Sequence, residues 1–254
     1  MKQITYKEII NKCHSSKKDT YKWYYYHRFL SLPLTKLFYG LNIKADTISI
    51  SMIVLSIVGF FLMIFKNNIL FGIGYFFMFL AFLFDKIDGD LARLYGVANI
   101  KGTVYDFVYH RFSLFLFYLG IGIHFSYENQ YIVILAALNG FIANYIEEMQ
   151  LLPHRVFSHK YLLKDEKLPN LNQNIYLTEN KFFKILKLFR MQLLLFYYFI
   201  IAFIIKHLLD CSMTIFMLIA FIGLFIYSIY QVYFMMKYQF NNEIYNLKKE
   251  LEKK

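Results

Sequence analysis

Residues 46–93 read DTISISMIVLSIVGFFLMIFKNNILFGIGYFFMFLAFLFDKIDGDLAR. From Ile48 to Phe84 the stretch is almost wholly apolar, broken only by Lys66-Asn67-Asn68 and a few small or hydroxyl-bearing residues. A helix on the surface of a soluble protein keeps one polar face, whereas these segments are apolar all round and suit lipid. Segments 46–65 and 69–85 approach the about 18–20 residues that cross a bilayer core. The second is short by itself, but as a continuing helix it runs on into the polar stretch Asp85–Arg93. Four further apolar segments follow at 103–124, 131–149, 191–209 and 212–235. Composition agrees, since 58% of the 254 residues are hydrophobic, above the half typical of soluble domains. The expected fold is an all-α membrane protein, a bundle of six transmembrane helices.

Charge sets the expected orientation. The net charge is +11, from 28 Lys and Arg against 17 Asp and Glu. Among the loops assigned to the outer side only Lys66 and Lys206 are basic; most of the rest lie in the N-terminal segment, the 150–190 loop and the tail. The positive-inside rule then places both termini in the cytoplasm, and an even number of spans agrees. The basic excess therefore reads as contact with anionic membrane lipid rather than nucleic acid, and no nucleic-acid-binding motif is visible. The two cysteines, Cys13 and Cys211, are expected on opposite sides of the membrane, so neither a disulfide nor a zinc site is expected. The first 47 residues lack the short apolar core of a cleaved signal peptide. A prokaryotic plasma (inner) membrane is the expected location.

Three regions organise the chain: a cytoplasmic N-terminal segment (1–47), a six-span domain (48–236) with a cytoplasmic loop at about 150–190, and a charged tail (237–254). In the first, Ser31-Leu32-Pro33 reads as a helix start with a serine cap and an early proline. Leu34, Leu37, Phe38 and Leu41 follow at helical spacing, with Trp23, Tyr24, Tyr25 and Tyr26 upstream. This suits an amphipathic helix lying on the inner leaflet, or equally a linker packed on the bundle. Residues 153–180 read as an irregular loop, and 181–190 as a basic amphipathic helix entering span five. The 29 Phe and 23 Tyr read as lipid-facing packing and an interfacial belt.

The chemistry concentrates in Asp85-Lys86-Ile87-Asp88-Gly89-Asp90-Leu91-Ala92-Arg93, followed by Gly102, Asp106 and His110. Ionisable groups at membrane depth are costly and mark polar, functional cavities. Asp85 and Asp88 are three apart, so a continuous helix puts both carboxylates on one face. Gly102, Asp106 and His110 are four apart and stack along a face of span three, where the bare Gly102 permits close approach of span two. Two helix faces can thus bring three carboxylates and an imidazole to one point. Such carboxylates repel unless a cation joins them, and hard oxygen ligands suit magnesium, manganese or calcium. Because magnesium also takes substrate phosphates as ligands, a phosphoryl-transfer site follows naturally. Snorkelling interfacial charges are the plain alternative.

The same stretch resembles the signature of the CDP-alcohol phosphatidyltransferase family, D-x2-D-G-x2-A-R-x8-G-x3-D-x3-D. Asp85, Asp88, Gly89, Ala92, Arg93, Gly102 and Asp106 match it at the family's spacing. The resemblance implies two divalent metals, magnesium or manganese, held by Asp85, Asp88 and Asp106. It implies a CDP-linked donor, such as CDP-diacylglycerol or a CDP-alcohol, beside Gly89, Ala92, Arg93 and Gly102. An alcohol acceptor then attacks the β-phosphate, releasing CMP in phospholipid or related phosphodiester synthesis. Gly89 would admit the ligand closely, and Arg93 offers a forked donor to phosphate. Arg111 is a candidate phosphate or acceptor contact. A homodimer formed through transmembrane contacts is also implied.

His110 departs from the pattern, standing where the family has its fourth Asp. It is read as the catalytic base, since imidazole titrates near neutral pH, as a neutral metal ligand, or as the mark of a homologue that binds donor without turnover. Ala45-Asp46 likewise stands where relatives carry Pro-Asn, with Asp46-Thr47 capping span one. Asp90 is expected to be solvated or supporting. Glu147, Glu148, His154, Arg155, His159, His27 and Arg28 are expected as interfacial charges that could border the pocket or touch headgroups. A transporter using Asp85, Asp88 and Asp106 as an ion path would need polar residues across the whole membrane, and the outer halves of the spans lack them. An intramembrane prenyltransferase would need a second, distant Asp-rich motif.

Overall fold

The computed structural model describes residues 4–14, 22–97, 100–159 and 192–235, together with 244, 249 and 251. Among the described residues the regular structure is entirely helical. The chain forms two compact units, Met1–Tyr127 and Glu128–Lys254. Among the described residues three helices are long and apolar enough to cross a membrane: Ala45–Met63, Asn68–Tyr95 and Met213–Tyr233. Shorter apolar helices run over Tyr131–Ile146 and Leu194–Leu209. The basic helix expected at 181–190 lies outside the described residues, as does most of the expected loop.

The first unit contains α1 (Tyr6–His14), α2 (Lys22–Gly40), α3 (Ala45–Met63), α4 (Asn68–Tyr95) and α5 (Ile100–His124), with a 3-10 turn at Phe125–Tyr127. α1 starts with a reciprocal cap. Thr5 donates its backbone N–H to Glu8 Oε2 at 2.8 Å, and Glu8 N–H returns to Thr5 Oγ1 at 3.3 Å. Those Thr5 bonds hold the exposed Glu8 carboxyl below the usual carboxylate range. A depressed native pKa means that this support is present above the unfolded pKa and fades as pH falls through the folded one. Ile4 and Ile9 flank the cap and pack with Cys13, Leu32 and Leu94.

α2 differs from expectation. It begins at Lys22, not at Ser31, and carries Pro33 in its interior. A proline there removes one N–H from the helix ladder, yet Ser31, Leu32 and Thr35 are all buried. Leu34, Phe38 and Tyr39 also pack on the cluster of Ala45, Ile48, Ile87 and Leu91. Tertiary packing therefore carries the helix through the proline. Leu30, Leu37 and Leu41 remain exposed, an apolar stripe of the kind an interfacial helix presents to lipid.

α3 and α4 are antiparallel: Gly59 meets Gly74, Met52 meets Ala81, and Ser49 meets Asp88. α3 buries Ile48, Ser49, Met52, Ser56, Gly59 and Met63, while Ile50, Val54, Ile57, Phe61 and Phe65 point outward. Two serines and a glycine thus lie among the buried residues while large apolar side chains face outward, a pattern that fits a lipid surround. A Cβ built on Gly74 would lie 2.5 Å from the Gly59 carbonyl oxygen, so the backbones touch. α4 starts at Asn67, whose side chain accepts from the N–H groups of Ile69 and Leu70 at 2.8 and 3.2 Å. It runs unbroken through the acidic stretch and stops at Gly96, with φ of 67° and Val97 N–H on the Ala92 carbonyl at 3.0 Å. α5 lies along α3, Tyr109 beside Met52 and Gly120 against Met63. Its far end is pinned by His124, whose Nδ1 is 2.7 Å from the Phe65 carbonyl and whose ring stacks on Phe71.

In the second unit α6 (Tyr131–Phe157), α7 (Gln192–Leu209) and α8 (Met213–Phe234) follow. α6 extends past the end expected at 149 and through position 153, and Glu148 and Arg155 pair across that extension at 2.5 Å. Asn139 Nδ2 donates to the Met217 carbonyl at 3.1 Å, joining α6 to α8. Glu128 caps α8, accepting from Met213 N–H at 2.7 Å and Ser212 Oγ at 2.8 Å, and pairs with Lys206. Neither Cys13 nor Cys211 is joined in a disulfide.

Candidate metal centre

The polar end of α4 and the first half of α5 supply the site, all within the first unit. α4 holds its acidic residues in helical register because its C-terminal stop comes only at Gly96, beyond Arg93. Asp85 is therefore buried, with Oδ1 3.2 Å from His110 Nε2. The same Nε2 stands 3.2 Å from Asp106 Oδ1, one turn earlier on α5. One ligand atom from each of Asp85, Asp106 and His110 falls within 4.8 Å of the other two. Ligands on opposite sides of an ion are about 4.2–4.4 Å apart at bond lengths of about 2.1–2.2 Å. Small side-chain rotations would close the group on a divalent cation, and two carboxylate oxygens with an imidazole nitrogen form a chemically reasonable donor set. The side chains grade from 3% exposed at Asp85 through 27% at His110 to 50% at Asp106, so the group opens on the Asp106 side.

Neighbouring residues hold these groups in place. Lys86 pairs with Asp85 Oδ2 and lies over the Phe82 ring, leaving Oδ1 to face His110. Tyr109, buried between α3 and α4, sets its ring edge against His110 with centroids 5.3 Å apart. Asp88 falls outside the three-residue group. Its Oδ2 instead accepts from Ser49 Oγ at 2.7 Å, although it lies within electrostatic reach of Asp85 and Asp106. Asp90 is buried rather than solvated. Its carboxylate takes Arg93 Nη2 at 2.6 Å, and its carbonyl is 3.5 Å from Cys13 Sγ. The Arg93 guanidinium consequently lies across bare Gly89, where an added Cβ would meet Nη2 at 3.4 Å.

The remaining expected site residues are placed as follows. Ala92 packs against the Ile87–Leu91 cluster. Gly102 is partly buried in the first turn of α5. Arg111 lies over the Phe107 ring at 4.8 Å. Glu148 and Arg155 pair with each other in the second unit.

Ser49, Lys86 and the Gly59–Gly74 contact were not singled out in the sequence. Ser49 had a signal: with Met52, Ser56 and Gly59 it recurs on one face of an otherwise apolar span. No family model matches the chain, and no curated protein matches it.

Proposed function

We propose that this protein is a membrane-embedded, metal-dependent transferase that moves a phosphoalcohol or phosphatidyl-type group from a CDP-linked donor to an alcohol, releasing CMP. The observation that carries the reading is the meeting of Asp85, Asp106 and His110 from two helices at the polar end of apolar segments. It supports the resemblance to CDP-alcohol phosphatidyltransferases, because the residues that converge occupy that motif's positions. In this reading the six apolar segments form a six-span bundle with both termini and the site facing the cytoplasm, and the protein works as a homodimer with a two-metal centre that also engages Asp88. In a Cys211→Ala background, a cysteine placed at Lys66 should then react with a membrane-impermeant thiol reagent from outside, and one placed at Lys254 should not. The reverse pattern would invert the orientation.

Bound magnesium or manganese would supply charge neutralisation on the donor's pyrophosphate. The chain's own residues do the rest. Arg93, held by Asp90 across Gly89, presents its remaining N–H groups to donor phosphate. The acceptor oxygen attacks the β-phosphorus and forms the new P–O bond. The bond from that phosphorus to the bridging oxygen breaks, and CMP leaves with the electron pair. Asp106, half-exposed at the mouth, is the carboxylate placed to take the hydroxyl proton. Arg93→Lys keeps the charge but loses the fork, so donor KM should rise about tenfold, the cost of roughly 1.4 kcal/mol, with a smaller change in kcat. Steady-state kinetics would show it, and an unchanged KM would remove Arg93 from donor binding.

The reaction is tested with purified full-length protein, CDP-diacylglycerol and a panel of alcohols, phosphorylated alcohols and serine. CMP release that requires both a divalent metal and an acceptor supports the proposal. Donor binding without release under every acceptor would point to a homologue that binds without turnover.

A further inference from the structure

We infer that His110 is a metal ligand, and that its imidazole tunes the centre toward first-row transition dications, manganese onward, in preference to magnesium. The inference rests on the reading of Asp85, Asp106 and His110 as a metal site, and adds which ion that site selects.

Three observations point this way. His110 Nε2 stands 3.2 Å from Asp85 Oδ1 and 3.2 Å from Asp106 Oδ1. A nitrogen equidistant from two carboxylates borders the place where an ion bridging them would sit. A proton acceptor would have to face the incoming hydroxyl instead. Next, Lys86 occupies Asp85 Oδ2, so Asp85 offers the centre one oxygen and part of its charge is already offset. Finally, Asp88 has one oxygen engaged by Ser49 and is not among the three converging ligands. The ion that these three ligands would hold therefore meets fewer free carboxylates than an all-carboxylate ring would give it, and it meets a nitrogen.

Those features act in one direction. Magnesium depends on hard oxygen donors and holds its water tightly, so replacing a carboxylate by a neutral imidazole weakens it. Transition dications gain from the nitrogen donor, with affinity rising along the series from manganese toward copper. The substitution at position 110 thus changes the metal preference while keeping a place for the ion.

Manganese is the probe, with the full-length protein in detergent micelles or nanodiscs. Pulsed electron paramagnetic resonance of the bound ion should show nitrogen coupling in the wild type, absent in His110→Asp while manganese still binds. Magnesium should compete poorly with manganese in the wild type and about tenfold better in His110→Asp. Wild-type manganese bound in an Asp106-dependent manner without nitrogen coupling would overturn the inference and leave the proposed reaction standing. Absence of any manganese or magnesium binding that Asp106→Asn removes would overturn both. Because the wild-type spectrum is read on its own, a variant that fails to fold does not remove the test.

Discussion

Asp85→Asn should reduce metal-dependent CMP release to background, a loss of about a thousandfold or more, on the scale seen when a central electrostatic group leaves an active site. Asp85 is the most buried of the three converging side chains and the only one contributed by α4. An amide at that position cannot offset the Lys86 ammonium that now pairs with Oδ2, and His110 keeps only Asp106 as a partner. The variant places an uncompensated cation where the ion should go. Purified protein of unchanged helical content that binds manganese poorly would tie the loss to the site rather than to folding. Activity within about tenfold of wild type would not be compatible with a metal held between α4 and α5.

The second large effect is structural and distant from the site. Gly74→Leu should destabilise the first unit by about 3 kcal/mol or more, at the upper end of overpacking costs. A Cβ at Gly74 would sit 2.5 Å from the Gly59 oxygen and 2.7 Å from the Met63 nitrogen, both backbone atoms that cannot turn aside. α3 and α4 would have to separate, and with them the Ser49–Asp88 bond and the Met52–Ala81–Tyr109 packing behind His110. Gly72 provides the control, because a Cβ there meets nothing within 4 Å. Thermal unfolding in detergent should show a large fall in midpoint for Gly74→Leu and little change for Gly72→Ala. Equal behaviour of the two would mean that the helices do not rely on this contact.

The acidic site was legible because helical periodicity is a short-range property. Asp106 and His110, four apart, had to share a face of α5, and an unbroken α4 brings Asp85 to meet them. Asp88 illustrates the limit of that reasoning. Sharing a face with Asp85 did not make it part of the converging group, because Ser49 on α3 draws its carboxylate aside. Only the packing of a third helix decides this. Asp90 is similar: its spacing leaves a solvated and a supporting role open, and α1 packing at its carbonyl with Arg93 at its carboxylate buries it in the second. In α2, the proline marked a helix start by local preference, and burial of Ser31, Leu32 and Thr35 overrode it. The start of α1 is written as Thr5-x-x-Glu8 beside Ile4 and Ile9, but so short and polar a helix carries no apolar run to mark it. Three of the expected spans coincide with helices long and apolar enough to cross a membrane. α5 is long enough but carries Asp106, His110 and Arg111 in its first half, so the residues that form the site also weaken its membrane signal.

Transfer of a phosphoryl-linked group at Asp85, Asp106 and His110 can be read by following the donor's β-phosphate. CDP-diacylglycerol radiolabelled at that position is incubated with metal, acceptor and either wild-type or Asp106→Asn protein. In the wild type the label should leave with the acceptor as a new phosphodiester and unlabelled CMP should appear in equal amount, while neither product should form with Asp106→Asn. Label released with the nucleotide, or the same products from the variant, would contradict it.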